Sequence, residues 1–182
     1  MDPIPRVVAV HRSATHGLSK QAQDRITLLE SLGVEGDAHC GRTVQHLYQK
    51  RKFPQRSNLR QVHLLQIELL DELRLQGFEV APGELGENIV TCRLALVSLS
   101  RGARLRIGDD AVIEVTGLRT PCVKIDRFRK GVKVPVAQRR PDGVEVLKAA
   151  VMGIVVRGGP VRPNDRIIVE PLSGAYAALE PV

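Results

Sequence analysis

A succession of short β-branched runs, cut by turn signals at close intervals, most constrains what this chain can become. Arg6–Val10 is the first run; Leu94–Ser100, Arg104–Ile107, Ala111–Thr116, Val144–Leu147, Val151–Arg157 and Arg166–Glu170 follow. Gly102, Gly108-Asp109-Asp110, Pro141-Asp142-Gly143, Gly158-Gly159-Pro160 and Pro163-Asn164-Asp165 separate the later ones. These residues supply the backbone angles that tight turns need. The spacing predicts a mainly β fold with a few helices, a closed β-barrel or compact sandwich rather than alternating βα units.

One helix is expected after Asn58, which can cap it with Gln61 completing a capping box. Val62, Leu65, Leu69 and Leu73 fall on one helical face with Leu70 beside them, and Gly77 supplies a left-handed stop. A shorter helix is expected from Pro121 to just before Gly131. Residues 41–57 are polar and basic and are expected to form a long loop.

The 182 residues suit one domain spanning 1–182, with a core from about residue 7 to residue 170. With 43% hydrophobic residues the chain can bury a real core. Lys and Arg outnumber Asp and Glu by 27 to 20, so the net charge is +7 and anionic partners are favoured. With three Phe, two Tyr and no Trp, platforms for base stacking are scarce, and nucleic acid is disfavoured as a partner. No apolar run approaches the ~20 residues that span a bilayer, and no basic-then-apolar leader is visible. The expectation is a cytoplasmic protein with no membrane partner, its three cysteines reduced.

Cys122 stands out among those three. Thr120 is a good N-cap and Pro121 is favoured at the first helical position, so Cys122 would lie in a first turn. There the helix dipole lowers a thiol's pKa, and the thiolate is both nucleophile and metal ligand. Arg119, Lys124, Arg127, Arg129 and Lys130 surround it with only Asp126 between. A buried, inert thiol is the alternative. Cys92 follows an apolar stretch and reads as packing, and Cys40 has no helix to activate it.

Two further segments are dense in ligand-type side chains. Gly33-Val34-Glu35-Gly36-Asp37-Ala38-His39-Cys40-Gly41-Arg42, followed by His46, fits no common metal spacing, so no zinc is expected. Ala81–Asn88 has glycines that let backbone N–H groups converge on an anion but lacks the P-loop pattern. His16-Gly17-Leu18-Ser19-Lys20 adds a hydroxyl and a cation, and His11 and His63 read as structural.

The ordered set Gly33-Val34-Glu35-Gly36-Asp37 with His39, Arg60-Gln61-Val62-His63, Gly86-Glu87-Asn88-Ile89, Thr116–Cys122 and Met152-Gly153 resembles the MOSC domain family, the C-terminal domain of molybdenum cofactor sulfurases. The resemblance runs from about Val7 to Glu170 and is to the short stand-alone bacterial type. It implies a closed barrel related to that of pyruvate kinase and a signature cysteine at Cys122. It further implies molybdenum cofactor, a pyranopterin, as ligand, with a family-level link to pyridoxal phosphate. Cys122 would ligate molybdenum or carry sulfur. Asp37, His39, Asn88 and Arg119 would contact the cofactor, with Lys20, Arg42 and His46 beside them. Reduction of N-hydroxylated substrates with an external electron donor, or sulfur delivery between donor and acceptor proteins, would follow. A basic module binding nucleic acid or another anion without catalysis is the alternative. The resemblance does not extend to the aminotransferase-like domain of the eukaryotic sulfurases, so the expectation is that this chain does not extract sulfur from cysteine itself.

Overall fold

The computed structural model describes residues 4–120, 131–132, 136–139, 145–147, 150–172 and 174–182. In chain order the elements are β1 (Arg6–Arg12), β2 (Gln21–Gln23), β3 (Ile26–Leu29), β4 (Gly33–Val34), α1 (Leu47–Lys52), β5 (Val62–Gln66), α2 (Ile67–Leu75), β6 (Ile89–Cys92), β7 (Arg104–Ile107), β8 (Ala111–Leu118), β9 (Ala137–Arg139), β10 (Glu145–Leu147), β11 (Val151–Arg157), β12 (Gly159–Val161) and β13 (Ile167–Val169). The fold is mainly β with few helices.

Eight strands form one mixed sheet in the order β13-β7-β8-β11-β5-β6-β1-β2. Its neighbours run antiparallel except β5 and β6, which are parallel and joined by the crossover through α2. A bulge between Val7 and Ala9 puts Val7 and Val10, three residues apart, into the same core. The start of β1 also meets the start of β13: Val7 N donates to Asp165 O at 2.9 Å, Asn164 N to Val7 O at 2.8 Å and Ile167 N to Pro5 O at 2.9 Å. A smaller sheet, β12-β3-β4, lies beside it. The main core gathers Val, Ile and Leu from both sheets, among them Leu28, Val62, Leu64, Ile113, Val115 and Val155. A second core under α2 holds Leu65, Leu69, Leu70, Leu73, Val80 and Leu85.

Three local expectations give way. Residues 62–66 are strand, not helix, and α2 begins only at Ile67. β5 is buried on both faces, Val62 and Leu64 in one core and Leu65 in the other. That two-sided burial, running straight into a helix, imitates a single helical stripe. Asn58 therefore caps no helix, although Gly77 does sit at φ 83° just beyond α2. Leu96–Ser98 forms a 3-10 turn instead of a strand, set off from β6 by Arg93 at φ 60°. The supposed loop of residues 41–57 contains α1, which buries no residue and so leaves no apolar period to read. The helix expected from Pro121, and with it Cys122, lies outside the described residues. No helix among the described residues is long and apolar enough to cross a membrane.

Candidate functional site

The site is assembled by Asn88, which is 2% exposed. His11 N donates to Asn88 O and Asn88 N to His63 O, both at 2.8 Å, so its backbone bridges β1 and β5. Its side chain repeats the bridge: Oδ1 accepts His63 N at 3.2 Å and Nδ2 donates to His11 O at 3.1 Å. These partners fix which end of the amide is nitrogen. Nδ2 also donates to Asp37 Oδ2 at 3.0 Å, drawing in the loop that follows β4.

Asp37 collects donors from every side. Lys20 Nζ lies 2.6 Å from Oδ2, and Ser13 N donates to the same oxygen at 3.2 Å. His39 N donates to Oδ1 at 3.0 Å, and His39 Nδ1 is 3.3 Å from it. Burial alone would raise the Asp37 carboxyl. Hydrogen bonds from His39 and the charge and hydrogen bond of Lys20 outweigh it and hold the carboxyl well below the usual carboxylate range. Lys20 is itself pushed down by burial, an effect that Asp37 partly offsets.

The Ala81–Asn88 loop packs against the segment carrying Lys20, whose N–H donates to Gly83 O at 2.8 Å. A Cβ at Gly83, where φ is 89°, would lie 2.7 Å from Lys20 O. One at Gly86, φ 85°, would lie 2.6 Å from Leu18 O. Both positions thus demand glycine for conformation and for space. The loop does converge on an acidic group, and that group is the chain's own Glu87, whose Oε1 accepts Gly83 N–H. Glu87 is fully buried, and burial raises its carboxyl against the pull of its backbone hydrogen bonds.

Above this base opens a cavity of about 660 Å³, within the ~300–1,000 Å³ range of small-molecule sites. Among the described residues its lining includes Lys20, Lys50, Arg51, Arg60 and Arg119 and four histidines, His16, His39, His46 and His63, with no Asp or Glu. Leu18, Val44, Leu47, Tyr48 and Met152 add apolar surface. Arg119 arrives from the end of β8, its N–H donating to Ala150 O at 2.9 Å and its guanidinium to Leu85 O. His63 Nδ1 donates to Gly86 O at 2.9 Å, which leaves Nε2 as a buried acceptor with no partner among the described residues. Burial, then Arg119 and Lys20, depress its pKa, so the ring is neutral.

Of the residues singled out from the sequence, Lys20, His39, His46, Asn88 and Arg119 line this one cavity, with Asp37 at its base. Arg42 is exposed and outside the lining; only its backbone is used, accepting Asn58 N–H at 2.9 Å. Cys40 is partly buried, its thiol pushed up by burial and by Asp37 and Glu35. Cys92 ends β6. Among the described residues, no group of three or more His, Cys, Asp or Glu is placed to hold a metal ion. His16 and Arg60 stand in the sequence only inside longer motifs, with no ligand contact expected of them, and the α1 residues carry no such expectation either. The absence of any acidic residue from 38 to 67 was the signal that could have found Arg60 and α1.

The sequence model of the MOSC domain matches residues 49–168. No curated protein matches the sequence. Among solved structures, the YuaD protein of Bacillus subtilis shares 22% identity at a TM-score of 0.69, over 90% of this chain and 94% of that one. YiiM of Escherichia coli shares 20% identity at 0.62, over 94% of this chain and 73% of that one. YiiM of Geobacillus stearothermophilus shares 14% at 0.62, over 97% and 78%. These likenesses speak to the fold.

Proposed function

Because the chain belongs to the MOSC domain family, we propose that its cavity binds a molybdenum-cofactor-type pyranopterin. The observation that carries this reading is the lining itself: among the described residues, five Lys or Arg, no acid, and an apolar patch of Leu18, Val44, Leu47, Tyr48 and Met152. A pyranopterin is a flat heterocycle ending in an anionic phosphate, and this donor set fits both ends. Lys20 and Arg119 would supply positive potential, and His63 Nε2 an acceptor for a ring N–H. His39 and His46 would complete the polar wall.

Cys122 follows Thr120, which lines the cavity, by two residues; two residues span at most about 7 Å of chain. That supports Cys122 as the thiolate serving the bound group. When bound, the cofactor would supply a molybdenum centre for two-electron reduction of an N-hydroxylated substrate. The protein's own part is to bind, to orient, and to keep one acceptor and several donors fixed while water is excluded. An external protein would deliver the electrons. We also read the chain as one domain whose large sheet closes into a barrel through the β1–β13 contacts, the cavity lying beyond its rim.

Metal and pterin analysis of the full chain, purified from a cofactor-competent host, tests the reading. Wild type should carry both molybdenum and pterin, and Cys122→Ala should lose molybdenum. Wild type free of both overturns cofactor binding; a cyanide-labile sulfur on Cys122 in that sample would make the protein a sulfur carrier instead.

A further inference from the structure

The cations that line the cavity divide into two kinds. Those at the base are engaged: Lys20 with Asp37 at 2.6 Å and Arg119 with Leu85 O. Arg60 is different. It is half-buried and lines the cavity, yet no acceptor among the described residues meets its guanidinium. Burial, and then the charge of Arg56, disfavour its ionised form. Between Asp37 and Glu68 the chain has six cations, Arg42, Lys50, Arg51, Lys52, Arg56 and Arg60, and no acid. A guanidinium that is partly desolvated beside a like charge is stabilised by an anion that reaches it.

The backbone beneath Arg60 is built to hold it still. Asn58, 3% exposed, accepts Arg60 N–H on Oδ1 at 3.0 Å, while its Nδ2 donates to His39 O and Gly41 O at 2.9 Å each. Thr116 Oγ1 donates to Leu59 O at 2.6 Å from β8. The same cavity is lined by a more exposed element. The 44–56 excursion is pinned at its base by the Thr43–Ser57 bridge and by Val44 N donating to Arg56 O at 2.8 Å. At its tip α1 buries no residue and places Arg51 and Lys50, whose Nζ donates to Gln45 Oε1 at 3.0 Å, in the cavity lining.

We propose that Arg60, fixed on the 58–60 segment, and Lys50 and Arg51 of α1 form a phosphomonoester subsite that closes when the anion bridges them. A guanidinium fork matches two phosphate oxygens, and a monoester carries about −1.5 to −2 charge at neutral pH. The subsite deepens the reading of this cavity by naming the groups that take the ligand's phosphate, and in that sense rests on it. Pinned on one side and exposed on the other, it gives the ligand's entry a fixed anchor and a flap that folds down.

The test is calorimetric titration of the full chain with inorganic phosphate, with dimethyl phosphate as the diester and oligothymidylate as the nucleic-acid arm. Wild type should bind phosphate, and Arg60→Gln and Lys50→Gln/Arg51→Gln should each weaken it at least tenfold. Lys52→Gln, on the same helix outside the lining, should not. Phosphate should slow tryptic cleavage at Lys50, Arg51 and Lys52 in wild type and leave it unchanged in Arg60→Gln. No phosphate binding by wild type, or equal binding by wild type and both lining variants, overturns the subsite. So does oligothymidylate binding tighter than phosphate and equally weakened by Lys52→Gln, which would mark a nucleic-acid surface. Inorganic phosphate contains neither pterin nor metal. Arg60-dependent phosphate binding in a chain that purifies without cofactor would therefore overturn the pterin reading alone, and cofactor content with Arg60-independent phosphate binding would overturn the subsite alone.

Discussion

Replacing Asp37 by Asn keeps the shape and removes the charge at the point where four donors meet. Lys20 Nζ, Ser13 N, His39 N and Asn88 Nδ2 all lie within 3.2 Å of a carboxylate oxygen. An amide can turn only one oxygen to them, so its NH2 faces a donor whichever way it flips. Lys20, with a side chain only 5% exposed, is left as a buried ammonium without its paired carboxylate. Breaking a buried pair from one side costs about 3–5 kcal/mol. At ~2–4 °C per kcal/mol for a chain of this size, Tm should fall by roughly 6–20 °C. Lys20→Met should cost less, because the carboxylate keeps three neutral N–H donors. The double variant should recover about 2 kcal/mol or more of the summed losses, since the orphaned charge has gone. Equilibrium urea denaturation of the four proteins at pH 7 measures all three quantities. The sign of the pH effect follows from the depressed carboxyl: its contribution is complete above the unfolded pKa of about 3.9 and is lost as pH falls through the lower folded value. Wild type should therefore shed more stability than Asp37→Asn below about pH 4. An Asp37→Asn protein within about 1 kcal/mol of wild type, or a strictly additive cycle, would refute the account of this pair as the anchor of the site.

Glu87→Gln tests the opposite shift. Burial raises the Glu87 carboxyl, so the folded state keeps its proton to higher pH than the unfolded chain. The associated stability is full below about pH 4.3 and is lost as pH rises toward the folded value. Urea midpoints of wild type should show that loss, and Glu87→Gln should flatten it. Asn58→Ala removes three hydrogen bonds at a buried position, a cost of about 2–4 kcal/mol. Asn58→Asp should cost more, because a carboxylate oxygen would then face the carbonyls of His39 and Gly41; thermal melts of the pair read the order directly.

How much of this was legible in the sequence depends on whether a residue's role is local. Arg104–Ile107 and Val151–Arg157 stand as strands where the sequence places them, because alternation or continuous β-branching between turns reports its own burial. β5 does not. Its three buried apolar residues serve two cores at once, and no local period distinguishes that from a helix approached from one side. α1 is invisible for the converse reason: with nothing buried it has no pattern. In the site, Asp37, His39, Asn88, Lys20, His46 and Arg119 come from five separate stretches of chain, and the family resemblance, not their spacing, grouped them. His63 was read as structural from its apolar neighbours, yet it reaches the cavity because a strand sends alternate side chains to opposite faces.

That grouping also separates two tasks which a list of polar residues merges. Asn88 spends both side-chain ends on His63, His11 and Asp37. Asp37 accepts from four different residues, and Lys20 is held against it at 2.6 Å. Polar atoms committed in this way hold the loops after β1 and β4 to β5 and set the potential of the cavity. They have little left to offer an incoming molecule without breaking a bond that the fold uses. Among the described residues, His63 Nε2 and the Arg60 guanidinium are not committed in this way, one a neutral acceptor and the other a cation. A ligand that satisfies both must present a hydrogen-bond donor on one part and an anion on another. Substitutions at Asp37 and Asn88 should accordingly register first in stability, and those at Arg60 and His63 first in affinity.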